Sequence, residues 1–374
     1  MSPLRSWYHA EHFLLAPEDI SMVSLSPSAG LVALSRGSRV SLHPIPKSPA
    51  TAQENLDPDV DEEVSPVYTQ DGGSDVTALV WLTEDTFVAG YADGTVTLTN
   101  INTRVKATSV GVRASTERIV AFLSDPSGQI LVVLTLSDLQ LWEVSPTLIP
   151  TCKHQTSGFT DPQYLCWSSR AFKSIYVVGA YAMVTWNPQD PDFSDSKVIH
   201  LERDYKLKCV SWDGRYRLHG IQRSDHCHLT YTDQQTGKQT FFKFLTPHLE
   251  DRDFVASFVH GDTLLLLASS HGIVLWDPSQ NQRTLQEFHY ATAHNGQNPP
   301  KLKAISVASR LQPDGIVHTL IIVRGPEAIV WQAMSDYPSS IFSMATRLLT
   351  LVLALTALVL SMGIGLHLKS TNMF

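Results

Sequence analysis

Apolar and polar positions alternate at strand period through most of the chain, and Gly, Asp, Ser and Pro interrupt the alternation every few residues. Helical periodicity is scarce before residue 347. Seven stretches share one plan: "GSRVSLHPI", "DGTVTLTNI", "LSDLQLWEV", "AYAMVTWNP", "DHCHLTYTD", "SHGIVLWDP" and "GPEAIVWQA". Each has a tight turn, an apolar alternation and a terminal position, held in turn by His43, Thr99, Trp142, Trp186, Thr232, Trp276 and Trp331. These positions are separated by 56, 43, 44, 46, 44 and 55 residues, close to the ~40–45 of a four-stranded propeller blade. The pattern predicts an all-β chain, a seven-bladed β-propeller over residues 1–334.

Two intervals run long. The first holds an acidic insert, residues 47–73, whose Pro, Asp and Glu content is that of a solvated loop and whose end "SPVYTQ" is suited to return as an outer strand. The last holds the polar stretch "TAHNGQNPPKLK". A closed ring removes sheet edges, yet after Trp331 only "AMSDYPSSIFSMAT" precedes the apolar C-terminal segment, so the last blade is expected to lack an outer strand of its own. The alternating segment at residues 6–15, in "SWYHAEHFLL", is expected to close that blade; the other reading is an amphipathic segment lying on a membrane.

Upstream of each anchor position lies a strand, a turn and another strand, as in "MVSLSPSAGLVALSRG", "VAFLSDPSGQILVVLTLS", "CVSWDGRYRLHGIQRS" and "VASFVHGDTLLLLASSHG". In this plan the chain resembles the WD-repeat family over about residues 7–334, with Trp276-Asp277 matching the family's Trp-Asp pair and "DQQTGK" after Thr232 matching the turn that follows that pair in the family. The family's Gly-His pair is missing, and Trp-Glu, Trp-Asn and Trp-Gln stand for Trp-Asp elsewhere. The resemblance implies a propeller that binds proteins; it carries no particular member's function.

The C-terminal segment changes the picture. Residues 348–368 carry no Asp, Glu, Lys or Arg between Arg347 and Lys369, and about 20 apolar residues suffice for a helix to cross the hydrocarbon core. A single transmembrane helix is expected there, after a linker at 335–347 and before a short tail at 369–374, the bland alternative being a buried helix of the globular body. No secretory pattern precedes it, so the expectation is a tail-anchored protein with a cytosolic body. One Lys and one His after a strongly apolar span favour the endoplasmic reticulum over the mitochondrial outer membrane. Ala357, Ser361 and Gly365 recur every fourth residue and form a candidate packing face for a second membrane helix, although small residues are common in such spans.

The net charge of -8 includes Glu54, Asp57, Asp59, Asp61, Glu62 and Glu63 in the insert, leaving no basic face for nucleic acid. That acidic run is either a solvated loop or an attractor for a basic partner. Cys152, Cys166, Cys209 and Cys227 lack metal or redox spacing and fit a reducing compartment. The hydrolase elbow, the phosphate loop and the His-Glu-x-x-His helix are missing. "SDHCHL" puts His226 and His228 at strand spacing beside Asp225 and Cys227, but the stretch reads as a turn entering a strand, and neither a metal nor a cofactor is expected. Trp142, Trp186, Trp276 and Trp331 read as packing between blades rather than a ligand cage. Trp81, Trp167 and Trp212, near the ends of inner strands, read as core.

Three functions follow. The leading one is a noncatalytic platform, tethered to an intracellular membrane, that recruits a protein partner through a propeller rim. A second is a nucleotide exchange factor for a small GTPase of the early secretory pathway, as the organisation resembles the membrane-anchored propeller exchange factors; no residue here carries over their projecting loop. The third is a propeller hydrolase, which needs convergent His, Asp or Glu at inner-strand ends. The inner strands "ISMVSLS", "VTALVWL", "IVAFLS", "YLCWSS", "LKCVSW", "FVASFV" and "KAISVAS" offer mainly apolar and hydroxyl side chains, so an enzyme is not expected.

Overall fold

The computed structural model describes residues 8–14, 19–45, 65–101, 107–156, 162–167, 174–179, 182–187, 197–200, 205–211, 216–222, 227–233, 236–237, 239–243, 255–259, 264–268, 272–277, 283–289, 302–312, 315–324 and 327–335. These form an all-β, propeller-like arrangement of four-stranded antiparallel sheets. After an N-terminal strand β1 (Tyr8–Leu14), the first sheet is β2 (Met22–Leu25), β3 (Leu31–Arg36), β4 (Arg39–Pro44) and β5 (Tyr68–Asp71). The second is β6 (Val76–Trp81), β7 (Thr86–Tyr91), β8 (Thr95–Asn100) and β9 (Thr108–Arg113). The third is β10 (Ile119–Ser124), β11 (Ile130–Thr135), β12 (Asp138–Ser145) and β13 (Thr147–Gln155). The fourth is β14 (Pro162–Trp167), β15 (Ile175–Gly179), β16 (Ala182–Trp186) and β17 (Lys197–His200). The fifth is β18 (Tyr205–Val210), β19 (Tyr216–Gln222), β20 (Cys227–Asp233) and β21 (Gln239–Lys243). The sixth is β22 (Val255–Val259), β23 (Leu264–Ala268), β24 (Gly272–Asp277) and β25 (Arg283–His289). The last sheet is β26 (Leu302–Gln312), β27 (Gly315–Arg324) and β28 (Glu327–Ser335), with β1 as its fourth strand.

The pairing of β1 with β28 joins the two ends of the propeller. It runs antiparallel from Tyr8 opposite Gln332 to Leu14 opposite Glu327, with an irregularity between His9 and Glu11. The unpaired backbone groups of β28 are thereby satisfied, which leaves a different and shorter strand at the edge. Likewise β5, after the acidic insert, is the outer strand of the first sheet.

Both faces of the middle strands are buried, as β3, β7, β11, β23 and β24 consist almost wholly of buried residues. Such strands read as near-continuous apolar runs because each sheet is covered on both sides by neighbours. The first strand of each sheet is innermost. Thus β2 packs against β26 and β6, β10 against β6 and β14, and β22 against β18 and β26.

Two rims result. At one, the inner and third strands end, and adjoining sheets meet turn to turn: the Ser28 hydroxyl donates to Glu84 Oε2 at 2.5 Å, and a Cβ on Gly128 would lie 2.5 Å from the Leu82 carbonyl. At the opposite rim lie the turns from second to third strand, Gly37-Ser38, Ala92-Asp93-Gly94 and Leu136-Ser137. In the Asp93 turn, burial alone would raise the carboxyl pKa, but the Thr95 N–H and hydroxyl, the Ser74 hydroxyl and Arg113 outweigh it and hold it below the usual range.

Among the described residues no helix is long and apolar enough to cross a membrane; residues 348–368 lie outside them. Gly94 offers a test of the turn geometry. It has a φ of 82°, and a Cβ there would meet the Ser115 carbonyl and lie 2.6 Å from the Glu117 carbonyl. Gly94→Ala is expected to lower stability by at least about 1–3 kcal/mol, read as a depressed midpoint in thermal denaturation against the parent protein.

Candidate functional site

The chemistry-bearing side chains lie at the junctions between sheets and on the two rims. Trp142, Trp186 and Trp276 occupy one position near the end of each third strand and are 2%, 1% and 2% exposed. Each faces the sheet before its own. Trp142 packs with Ala78, Val88 and Val96 of the second sheet, Trp186 with Val132 and Leu134 of the third, and Trp276 with Cys209 and Leu218 of the fifth. Trp331 is partly buried against Leu264 and Leu266 of the sixth. A buried indole must place its N–H, and Trp142 donates to Gln140 Oε1 at 3.0 Å.

Across the ladder the residue opposite each of these positions varies with its occupant. Leu131, Ile175, Leu265 and Leu320 face Trp142, Trp186, Trp276 and Trp331. Where the position is Thr99 or Thr232, the opposite residue is large: Phe87 and Arg217. The pair, rather than the single residue, fills the space between sheets, as dense packing requires. Phe87 is fully buried with Trp81 at 5.5 Å between ring centroids, while the Thr99 hydroxyl donates to Gln70 Oε1 at 2.7 Å.

The junction between the fourth and fifth sheets is built differently. The Arg217 guanidinium lies 4.9 Å from the centre of the Tyr176 ring, and its Nη2 donates to the Tyr176 hydroxyl at 3.1 Å. Among the described residues the buried Arg217 Nε and Tyr164 hydroxyl have no hydrogen-bond partner. Burial raises the Tyr164 pKa well above the usual phenol value, with the Cys166 and Cys209 thiols adding to the rise and Arg217 opposing it. Burial also pushes the Cys166 thiol up to about 12, against the pull of Arg217. Cys166 therefore stays a protonated thiol at neutral pH, a poor nucleophile.

Hydrogen bonds stitch the inner-strand ends into a collar. The Leu25 N–H donates to Ser306 Oγ at 3.1 Å, and Trp81 Nε1 donates to the Ser24 carbonyl at 3.0 Å. The Ser124 hydroxyl reaches the Trp81 carbonyl at 3.4 Å, and Trp167 Nε1 donates to the Ser124 carbonyl at 3.0 Å. The links run from the last sheet through the first, second and third to the fourth. Two buried charges are internally paired: Asp138 with Lys153 at 2.7 Å, and Arg324 with Glu327 at 2.9 Å.

Cys227 and His228 begin β20, whereas Asp225 and His226 lie outside the described residues, as do Trp7, Trp212, Ala357, Ser361 and Gly365. Among the described residues no group of three or more His, Cys, Asp or Glu is placed to hold a metal ion. The exposed apolar side chains are on the rims and outer strands: Leu136 at the tip of the β11–β12 turn, and Val110 and Val198 on β9 and β17. Ile130 and Ile149 flank Glu143 across the third sheet.

No protein-family model matches the chain, and no curated protein matches it in sequence.

Two outcomes are expected of these junctions. Trp276→Ala opens space between the fifth and sixth sheets and should cost about 3–5 kcal/mol, measured by denaturant unfolding. In the native protein at pH 8, alkylation mapped by mass spectrometry should find Cys166 slow, its thiolate fraction being on the order of 10⁻⁴, and denaturant should abolish that protection.

Proposed function

We propose that this protein is a noncatalytic interaction platform: a closed, seven-bladed propeller of WD-repeat type, held at an intracellular membrane by a helix over residues 348–368, that recruits a protein partner through a rim. The observation that carries the proposal is where the side-chain chemistry is spent. Its buried tryptophans and paired charges serve contacts inside and between sheets, so the turns of the rims are the surface left for recognition. The uncharged segment at 348–368 supplies the address, its length matching a hydrocarbon core. The endoplasmic reticulum suits this anchor and its short tail better than the mitochondrial outer membrane.

Membrane attachment and recruitment are tested together. Full-length protein and a 1–346 form, each tagged at the N-terminus, are expressed in cells and fractionated. The full-length form should resist carbonate extraction and the 1–346 form should be released, while both cross-link to the same partner through a photoreactive residue placed at a rim turn. A 1–346 form that remains membrane-integral would refute the anchor. Exchange activity on a coat GTPase would replace the platform with the exchange-factor reading.

A further inference from the structure

From the direction in which the chain leaves the propeller, we infer that the rim where the inner and third strands end faces the lipid bilayer, and that the opposite rim is turned to the cytosol. The inference rests on the membrane anchoring proposed for residues 348–368. β28 is the third strand of its sheet and ends at Ser335, on the rim that also carries the turns Ser26–Gly30, Leu82–Asp85 and Asp125–Gln129. β1 runs antiparallel to it and begins at Tyr8, opposite Gln332, on that same rim. The acidic insert leaves β4 and returns to β5 there as well.

Only residues 336–347 separate Ser335 from Leu348. Fully extended, such a link reaches about 40 Å. A six-residue strand is about 20 Å long. To bring the far rim to the bilayer, the link would have to run out over β1, climb the whole sheet, and clear the turns at both ends, which consumes most of its length. That taut state forfeits nearly all of its conformational freedom. With the exit rim towards the lipid, the link stays slack. The turns Gly37-Ser38, Ala92–Gly94 and Leu136-Ser137, with exposed Leu136 among them, are presented to a soluble partner.

The test uses the full-length chain reconstituted into phosphatidylcholine vesicles containing some lipid with a nitroxide headgroup. A dye is carried on an encoded azide residue at one of four exposed sites: Thr83 or Gln129 on the exit rim, Thr116 or Ser137 on the opposite rim. Dyes at 83 and 129 should be quenched several-fold more than dyes at 116 and 137. Inserting a long Gly/Ser segment after Ser335 should bring the four sites close to equal. Protein that floats with the vesicles but shows equal or reversed quenching without the insertion overturns the orientation while leaving the anchor standing. Protein that fails to float overturns the anchor, and the orientation with it.

Discussion

A sheet that is apolar on both faces cannot stand alone in water, and every other feature of this molecule answers to that constraint. With Leu264 to Ala268 all buried in β23, neither side of that strand can meet solvent. Each such sheet needs two neighbours, and a row of them has two uncovered ends unless it curves back on itself. The packing of β2 on β26 joins those ends at the inner strands, and β1 on β28 joins them again in the backbone ladder. Two segments more than 300 residues apart in sequence are thus brought together, at a loop-closure cost that grows only logarithmically with length.

Given that constraint, the junctions are solved pair by pair. Most use a third-strand Trp over an aliphatic partner. The second sheet moves the bulk to Phe87 and gives Thr99 a hydrogen-bonding role. The fifth sheet uses Arg217, which fills space with its stem and guanidinium plane and finds an aromatic face in Tyr176. A buried guanidinium is an expensive way to fill a gap, because its desolvation is only partly returned by a ring and one hydroxyl. With Tyr164 and Arg217 Nε buried beside it, this junction gains less from each atom it hides than the Trp junctions do. Protection against local opening should be lowest where these terms are weakest.

How much of this could be read from the sequence follows from the range of the signal. Strand periodicity and the recurrence of Trp142, Trp186 and Trp276 are local, repeated signals, and these three residues fall at matching positions on β12, β16 and β24. The strand-period alternation of "YHAEHFL" is also visible locally, and it marks the outer strand that β1 supplies. Pairings across junctions leave no such trace. Nothing in "RYRLHG" says that Arg217 will lie over Tyr176, since the two are distant in sequence and neither belongs to a motif. Ser306 looks like any strand serine until it accepts from Leu25 across the closure. Trp331 shares the sequence position of the other three, yet it is only partly buried. A common position fixes where a side chain points; how far its neighbours cover it depends on the sheets to either side.

The two rims differ because all inner strands run the same way. One rim collects every inner-strand end, so it carries the collar from Leu25 and Ser306 through Trp81 and Ser124 to Trp167, and there adjoining sheets are tied by hydrogen bonds worth about 0.5–1.5 kcal/mol each. β28 ends at that same rim. The other rim is made of short returns such as Asp93-Gly94, whose shape is set by the Asp93 carboxylate, the positive φ of Gly94 and the adjoining loops, the Asp93 N–H donating to Ser74 Oγ and the Ala114 N–H to the Gly94 carbonyl. Turns lie outside the packed sheets, so their exposed side chains can change with little effect on the sheets beneath. The structural difference between the rims is thus already present in strand direction.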